Sequence, residues 1–165
     1  MIEKSKKSRK KESVDPIQHA INRALRYLNY RPRSEAEVRG RLERYGYDDN
    51  IIEAALNKLR PSGLIDDASF AAYWNENRSS FSPRSTRRLG QELRQKGVNS
   101  EIIIAVTKSI DDTDEAYRAG HKKASSLSKT DHNEFRKKMG AFLRYRGFDY
   151  DVISTVTEKL WQEKT

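Results

Sequence analysis

The stretch VRGRLERYGYDDNII, residues 38–52, recurs in outline as LGQELRQKGVNSEII at 89–103 and as MGAFLRYRGFDYDVI at 139–153. The copies are centred on Gly46, Gly97 and Gly147, which stand 51 and 50 residues apart. Counting from the glycine, position −8 is Val38, Leu89 or Met139, and position −4 is Leu42, Leu93 or Leu143. Position +1 is Tyr47, Val98 or Phe148; +6 is Ile52, Ile103 or Ile153; and +13 is Leu59, Ile110 or Leu160. Self-similarity at a fixed period of this size means that one supersecondary unit is used three times.

The spacing dictates what that unit is. Apolar residues four apart before the glycine lie on one helix face, and those at +5, +9 and +13 lie on the face of a second helix. A glycine just past a helix is the usual left-handed C-cap, and Asp48, Asn99 and Asp149 at +2 can cap the helix that follows. A third helix precedes each pair. Ile17, Ala20, Ile21 and Ala24 share a face in the first repeat, and Phe70, Tyr73 and Trp74 do so in the second behind an N-cap at Asp66. The third repeat uses the smaller Ala116, Ala119, Gly120 and Ala124. Ser34 with Glu37, and Asp131 with Glu134, have capping-box spacing, while Pro83 suits a first helical position. Gly90 and Gly140, both at −7, predict close helix approach.

The expected fold is therefore all-α, with three tandem three-helix repeats forming an elongated, curved helical array. The repeats fall at 17–64, 65–110 and 111–165, behind a disordered basic N-terminal arm at 1–16. Units this small bury little surface alone, so stacking of one repeat on the next is expected to supply the missing core.

Apolar and charged residues each make up 35% of the chain, which suits a thin array with much exposed surface. The periodic columns argue against disorder beyond the arm. There is no cysteine, so no disulfide or thiolate metal site can form, and a cytoplasmic location is expected. The longest apolar run, Ile102 to Val106, falls far short of the roughly 20 residues of a membrane span. The lysine-rich arm lacks the apolar stretch of a secretion signal.

His19, His121 and His132 have no metal-ligand spacing, and neither a nucleophile–base set nor a phosphate loop is signalled. The acidic pairs at 48–49, 66–67 and 111–112 sit where helix caps are needed. Neither catalysis nor a cofactor or metal is expected.

The net charge is +9, and it becomes organised on the second helix of repeats two and three. With Leu89 and Leu93 inward, a turn of 100° per residue places Arg84, Arg87, Arg88 and Arg94 outward. Lys137, Lys138 and Arg144 occupy the columns of Arg87, Arg88 and Arg94, whereas the first repeat has Ala36, Glu37 and Glu43 there. A basic face repeated in register predicts a stripe for a long anionic partner, either a phosphate backbone or an acidic groove on a protein. A plain solvated face, a tri-helical DNA-binding protein and a helical-repeat scaffold for another acidic protein are the alternatives. Tyr47, Phe70, Trp74 and Phe148 fit core columns, while Tyr30, Phe81, Tyr145 and Tyr150 are candidates for contact.

Three runs carry a resemblance. Tyr30 to Val38 (YRPRSEAEV), Gly63 to Trp74 (GLIDDASFAAYW) and Gln91 to Val98 (QELRQKGV) are similar to the RecX family of bacterial regulators of the RecA recombinase. The resemblance spans roughly residues 20 to 160 and weakens in the third repeat. It implies three tandem three-helix repeats and binding in the helical groove of the RecA filament on single-stranded DNA. It also implies inhibition of ATP hydrolysis, strand exchange, co-protease function and filament growth, with no active site of its own. The candidate filament contacts are then the basic-face residues Arg84, Arg87, Arg88, Arg94, Lys137, Lys138 and Arg144; a monomer is the expected state, and direct weak contact with DNA stays open. Val38 stands where Leu is common in the family, Ser82 where Gly often precedes Pro, and the lysine-rich arm is not a family feature.

Overall fold

The computed structural model describes residues 15–164, so the expected arm lies outside them as far as residue 14. The last two residues assigned to the arm belong to the fold. Asp15 accepts a hydrogen bond from Ile17 N at 3.0 Å, and Pro16 opens helix α1 (Pro16–Leu28). The helices that follow are α2 (Glu35–Arg44), α3 (Asp49–Leu59), α4 (Asp67–Phe81), α5 (Thr86–Gln95) and α6 (Ser100–Thr107). Then come α7 (Asp112–Ala124), α8 (His132–Tyr145) and α9 (Tyr150–Lys164). Short 3-10 turns follow α3 and α7, and there is no strand among the described residues.

The glycine turns account for the repeat. Gly46, Gly97 and Gly147 have φ of +82°, +78° and +93°, which only glycine adopts without strain. In each turn the residue after the glycine donates its amide to the carbonyl at −4: Tyr47 to Leu42, Val98 to Leu93, and Phe148 to Leu143. This is the Schellman arrangement, which brings the +1 and −4 side chains into contact. That contact is why those two columns are apolar in all three copies.

Most caps follow the expected residues. Ser34 and Glu37 form a complete capping box, and Asn99 accepts from Ile102 N at 3.0 Å. Asp131 accepts from Glu134 N at 2.9 Å, whereas Asp48 makes no side-chain cap. Pro83 is not at a first helical position. Helix α5 begins at Thr86 with Ser85 as its cap, bonded to Arg88 N at 3.1 Å. Pro83 lies in the connection before it, where its carbonyl accepts from Arg146.

The expectation that stacking supplies the core is overturned. Three separate hydrophobic cores form, one per repeat. The first gathers Ile21, Val38, Leu42, Ile52 and Leu56, and also takes Ile65 from beyond the expected boundary. Phe70, Leu89, Leu93 and Ile103 build the second, and Phe135, Met139, Leu143 and Val156 the third. Close approach makes this possible where side chains are small. A Cβ on Gly120 would fall 2.5 Å from Leu160 Cδ1, and one on Gly90 would fall 3.3 Å from Ile103 Cγ2. Gly140 is less tight than expected, at an ordinary 3.8 Å from Ile153 Cγ2.

What joins the repeats is chiefly a set of hydrogen bonds across the glycine turns. Between repeats one and two, the buried Ser34 Oγ donates to Lys96 O at 2.6 Å, and Glu35 N donates to Asp67 Oδ1 at 2.9 Å. Between repeats two and three, Ser85 N donates to Arg146 O at 3.2 Å, and Thr86 N donates to Asp112 Oδ1 at 2.7 Å. The same docking is used twice: the start of one repeat's second helix sits on the glycine turn of the next repeat. The result is a linear array with separately cored units.

Candidate interaction surface

The predicted cations divide once their surroundings are known. Arg84 is a correction. It precedes α5 instead of riding on it, its side chain is only 16% exposed, and it lies 3.8 Å from Glu92 Oε1. The helical projection fails there because the helix starts only after Ser85. Arg87 does point outward with 64% of its side chain exposed, yet it donates to Gly147 O at 3.0 Å and approaches Asp149 at 3.8 Å. Arg88 is exposed, and its Cβ packs against Gly147. These two arginines therefore belong partly to the joint between repeats. Arg94 is exposed and lays its guanidinium over Gly90.

Repeat three brings Lys137 and Arg144 together. They line a groove of about 470 Å³ between α8 and α9, floored by Gly140 and Ile153 and edged by Asn133, Arg136 and Tyr150. Lys138 is exposed but lies outside this groove, paired with Glu134 at 2.7 Å one turn back. Arg136 escapes column reasoning because the same column holds Glu35 and Thr86 in the other repeats. Tyr150 is 71% exposed, so its ring is open to solvent at the edge of the groove. Its neighbour Asp149 meets Arg87, so the α5 face leads to the mouth of the α8–α9 groove.

The joint between repeats one and two carries its own carboxylates. Glu37 Oε1 accepts from Arg31 at 2.8 Å and from Lys96 at 2.9 Å. Burial disfavours its ionised form, but hydrogen bonds from Arg31, Lys96 and the Ser34 amide outweigh burial and hold its pKa at about 2. Asp67, across the same joint, is shifted the other way by burial. Trp74 is half-buried beside this joint. Its indole N–H donates to Glu92 at 2.9 Å, and Arg78 and Lys96 stand 4.9 and 5.1 Å from its ring. It is not available for stacking, in line with its core column.

The acidic pairs split their duties. Asp66 and Asp111 cap α4 and α7 as expected, while Asp67 and Asp112 reach across to the preceding repeat. No cluster of three or more His, Cys, Asp or Glu that could hold a metal occurs among the described residues. No described helix is long and apolar enough to cross a membrane.

Comparison with known proteins follows the same division. The descriptions of the first, second and third three-helix domains of RecX match residues 20–59, 66–106 and 110–157 in order. Regulatory protein RecX of Chlorobium limicola is 38% identical over 139 residues, covering 84% of this chain and 87% of the relative. That of Mycobacterium avium is 36% identical over 137 residues, covering 80% and 79%. The crystal structure of RecX from Lactobacillus salivarius superposes with a TM-score of 0.74 at 25% identity, over 90% of this chain and 98% of that one. Matching domain by domain and over most of the relatives' length, the chain belongs to the RecX family of regulatory proteins.

Proposed function

We propose that the chain is a negative regulator of RecA that binds in the groove of the RecA filament on single-stranded DNA and inhibits its ATP hydrolysis, strand exchange and co-protease activities. It acts as a monomer in the cytoplasm, within homologous recombination, DNA repair and the SOS response. Beyond family membership, one observation carries this reading. Exposed cations recur in equivalent columns of α5 and α8, Arg87 with Lys137 and Arg94 with Arg144, on repeats joined across their hydrogen-bonded glycine turns.

A filament repeats its surface from protomer to protomer. Two equivalent basic faces can then engage two copies of one acidic or phosphate-bearing patch, and the second contact forms at high effective concentration. Each joint is held by a few hydrogen bonds with a net worth of about 0.5–1.5 kcal/mol each, so the array can adjust its bend to the groove. Regulation needs no active site. Contacts made better with one filament state than with another shift the equilibrium between them.

The test reverses Arg94, Lys137 and Arg144 to Glu together. All three are exposed and make no side-chain hydrogen bond or ion pair among the described residues, whereas reversal of Arg87 or Arg88 would also disturb a joint. Single-stranded-DNA-dependent ATP hydrolysis by the cognate RecA is titrated with wild type and variant, with melting followed by circular dichroism. The half-inhibitory concentration should rise at least about tenfold with melting unchanged. Undiminished inhibition by a folded triple variant rejects the basic face as the contact.

A further inference from the structure

The two joints between repeats are built alike but are not charged alike. At the first, Lys96 is neutralised by Glu37, which also takes Arg31. At the second, the column of Lys96 holds Arg146 and the column of Glu37 holds Arg88, so the carboxylate is gone. Arg146 donates to Ser82 Oγ at 2.8 Å and to Pro83 O at 3.0 Å, and its buried Nε has no partner. Arg78 and Arg84 stand close by, and both turn to the single carboxylate of Glu92. Burial, then the charges of Arg84 and Arg78, pull the Arg146 pKa below its ordinary value. Glu115, about two turns before Lys122 on α7, is engaged by Ser79 and Arg118. Positive charge at this joint is therefore in excess, and docking does not require it, since the first joint docks without it.

The excess surrounds a cleft. Between repeats two and three lies a cavity of about 230 Å³ with Phe81, Pro83 and Phe142 as its apolar walls and Lys122, Lys123 and Arg146 around them. No acidic residue lines it. Arg146 lies 4.5 Å and Lys123 5.9 Å from the centre of the Phe142 ring. Lys122 rests its ammonium on Ser80 O at 3.1 Å. Phe81, at the lip, is 76% exposed, an open aromatic face beside three cations. Tyr145, equally exposed and next to Arg146 in the chain, repeats the pairing with Arg84 5.8 Å from its ring.

Aromatic platforms alternating with cations are what a single strand requires, because every base has a face to stack and every linkage an anion to hold. Protein interfaces favour aromatics and Arg but are depleted in Lys, and two of the three cations here are lysines. We propose that the cleft between repeats two and three binds single-stranded nucleic acid directly, with one base stacked on Phe81 and its phosphate held by Lys122, Lys123 and Arg146. The proposal does not depend on the filament reading, and its test contains no recombinase.

The full chain is titrated into a fluorescently labelled short oligothymidylate, and anisotropy is read at low and high salt. Wild type is compared with Phe81→Ala, with Lys122→Ala/Lys123→Ala, and with Lys108→Ala/Lys129→Ala as a charge-matched control at exposed positions outside the cleft. Phe81→Ala should weaken binding roughly 5- to 150-fold. The cleft lysine pair should lower the slope of log affinity against log salt by about 1.4, and the control pair should leave the affinity well above that of the cleft variants. Ultraviolet crosslinking of the oligothymidylate to wild-type protein should label the peptide containing Phe81, a readout that no folding defect can mimic. The proposal is overturned if no binding occurs, if Phe81→Ala binds as wild type, or if the two lysine pairs behave alike. It is equally overturned if an acidic peptide bearing an aromatic side chain needs Phe81 while the oligothymidylate does not.

Discussion

Replacing Gly97 by Ala, with Gly46→Ala as its partner, isolates the docking of one repeat on the next. Both glycines close the same kind of turn at nearly equal φ, +78° and +82°, so the left-handed cost of an L side chain, about 1–2 kcal/mol, is common to both variants. They differ in what the new methyl group meets. At position 46 nothing lies within 4 Å, whereas at 97 the Cβ would stand 2.3 Å from Ala36 Cβ. Carbon atoms rest at about 3.5–4.0 Å, so the joint must open by more than about 1 Å. Opening on that scale breaks the 2.6 Å bond from Ser34 Oγ to Lys96 O and stretches the 2.9 Å pair between Lys96 and Glu37. At about 0.5–1.5 kcal/mol for each, the difference between the variants should be about 1–3 kcal/mol. Urea unfolding by far-ultraviolet circular dichroism gives the stabilities. Fluorescence in a Trp161→Phe background reports the joint itself, since Trp74 has Lys96 at 5.1 Å and Arg31 at 5.9 Å. Gly97→Ala should shift Trp74 emission in the folded state and Gly46→Ala should not. Stabilities equal to within about 0.5 kcal/mol, with unchanged emission in both, would refute this docking.

Acid titration probes the same joint through Glu37, whose pKa is held at about 2 against about 4.3 in an unfolded chain. A depressed carboxyl stabilises fully above the unfolded value and loses that contribution as pH falls from about 4.3 towards about 2. With solvent screening the loss should be about 1–2 kcal/mol, and Glu37→Gln should flatten this limb in urea midpoints measured across the window; an equally steep limb in the variant would contradict the assignment. The buried serines should also differ. Ser34 Oγ accepts from Glu37 N and donates to Lys96 O, while Ser85 Oγ accepts from Arg88 N alone. A lost cap costs about 1 kcal/mol and the extra bond about 0.5–1.5 more, so Ser34→Ala should be the more damaging change in chemical denaturation, and the reverse order would show that the bond across the joint contributes nothing.

Periodicity made the interior of each repeat legible. Leu42, Leu93 and Leu143 recur because each meets the residue after its own glycine, a contact fixed within a few positions of sequence. The contacts between repeats leave no such trace. They fall at helix ends, on residues with a local explanation already: Asp67 and Asp112 read as spare caps, and Ser85 was hidden behind Pro83. Arg84 was misplaced because angular projection holds only inside a helix. The separate cores were missed for a related reason. A column of apolar residues states that a face is buried, not against which neighbour, and Ile65 shows the choice going to the repeat before it. Among the candidate contacts, Lys137 and Arg144 are legible in the sequence because they align with Arg87 and Arg94, whereas the proposed Lys122 and Lys123 lie on a first helix whose alignment between repeats is much weaker.

Keeping the cores separate changes what a bound partner can do to this molecule. In an array sharing one continuous core, altering the angle between units would expose apolar surface at about 25 cal/mol per Å², and a few polar contacts could not offset that. Here the angle is held by hydrogen bonds and ion pairs whose loss water largely compensates. A partner contact worth a tenfold change in affinity, about 1.4 kcal/mol, is therefore comparable to what fixes the joint. The two joints should not respond equally. The first sets Arg31 and Lys96 on Glu37 and has a second carboxylate, that of Asp67, across it. The second holds Arg78, Arg84 and Arg146 against the one carboxylate of Glu92, so an arriving anion relieves repulsion in addition to making its own contacts. If the proposed anionic partner binds, adaptation to it should be concentrated between repeats two and three, the same two units that carry the exposed basic columns.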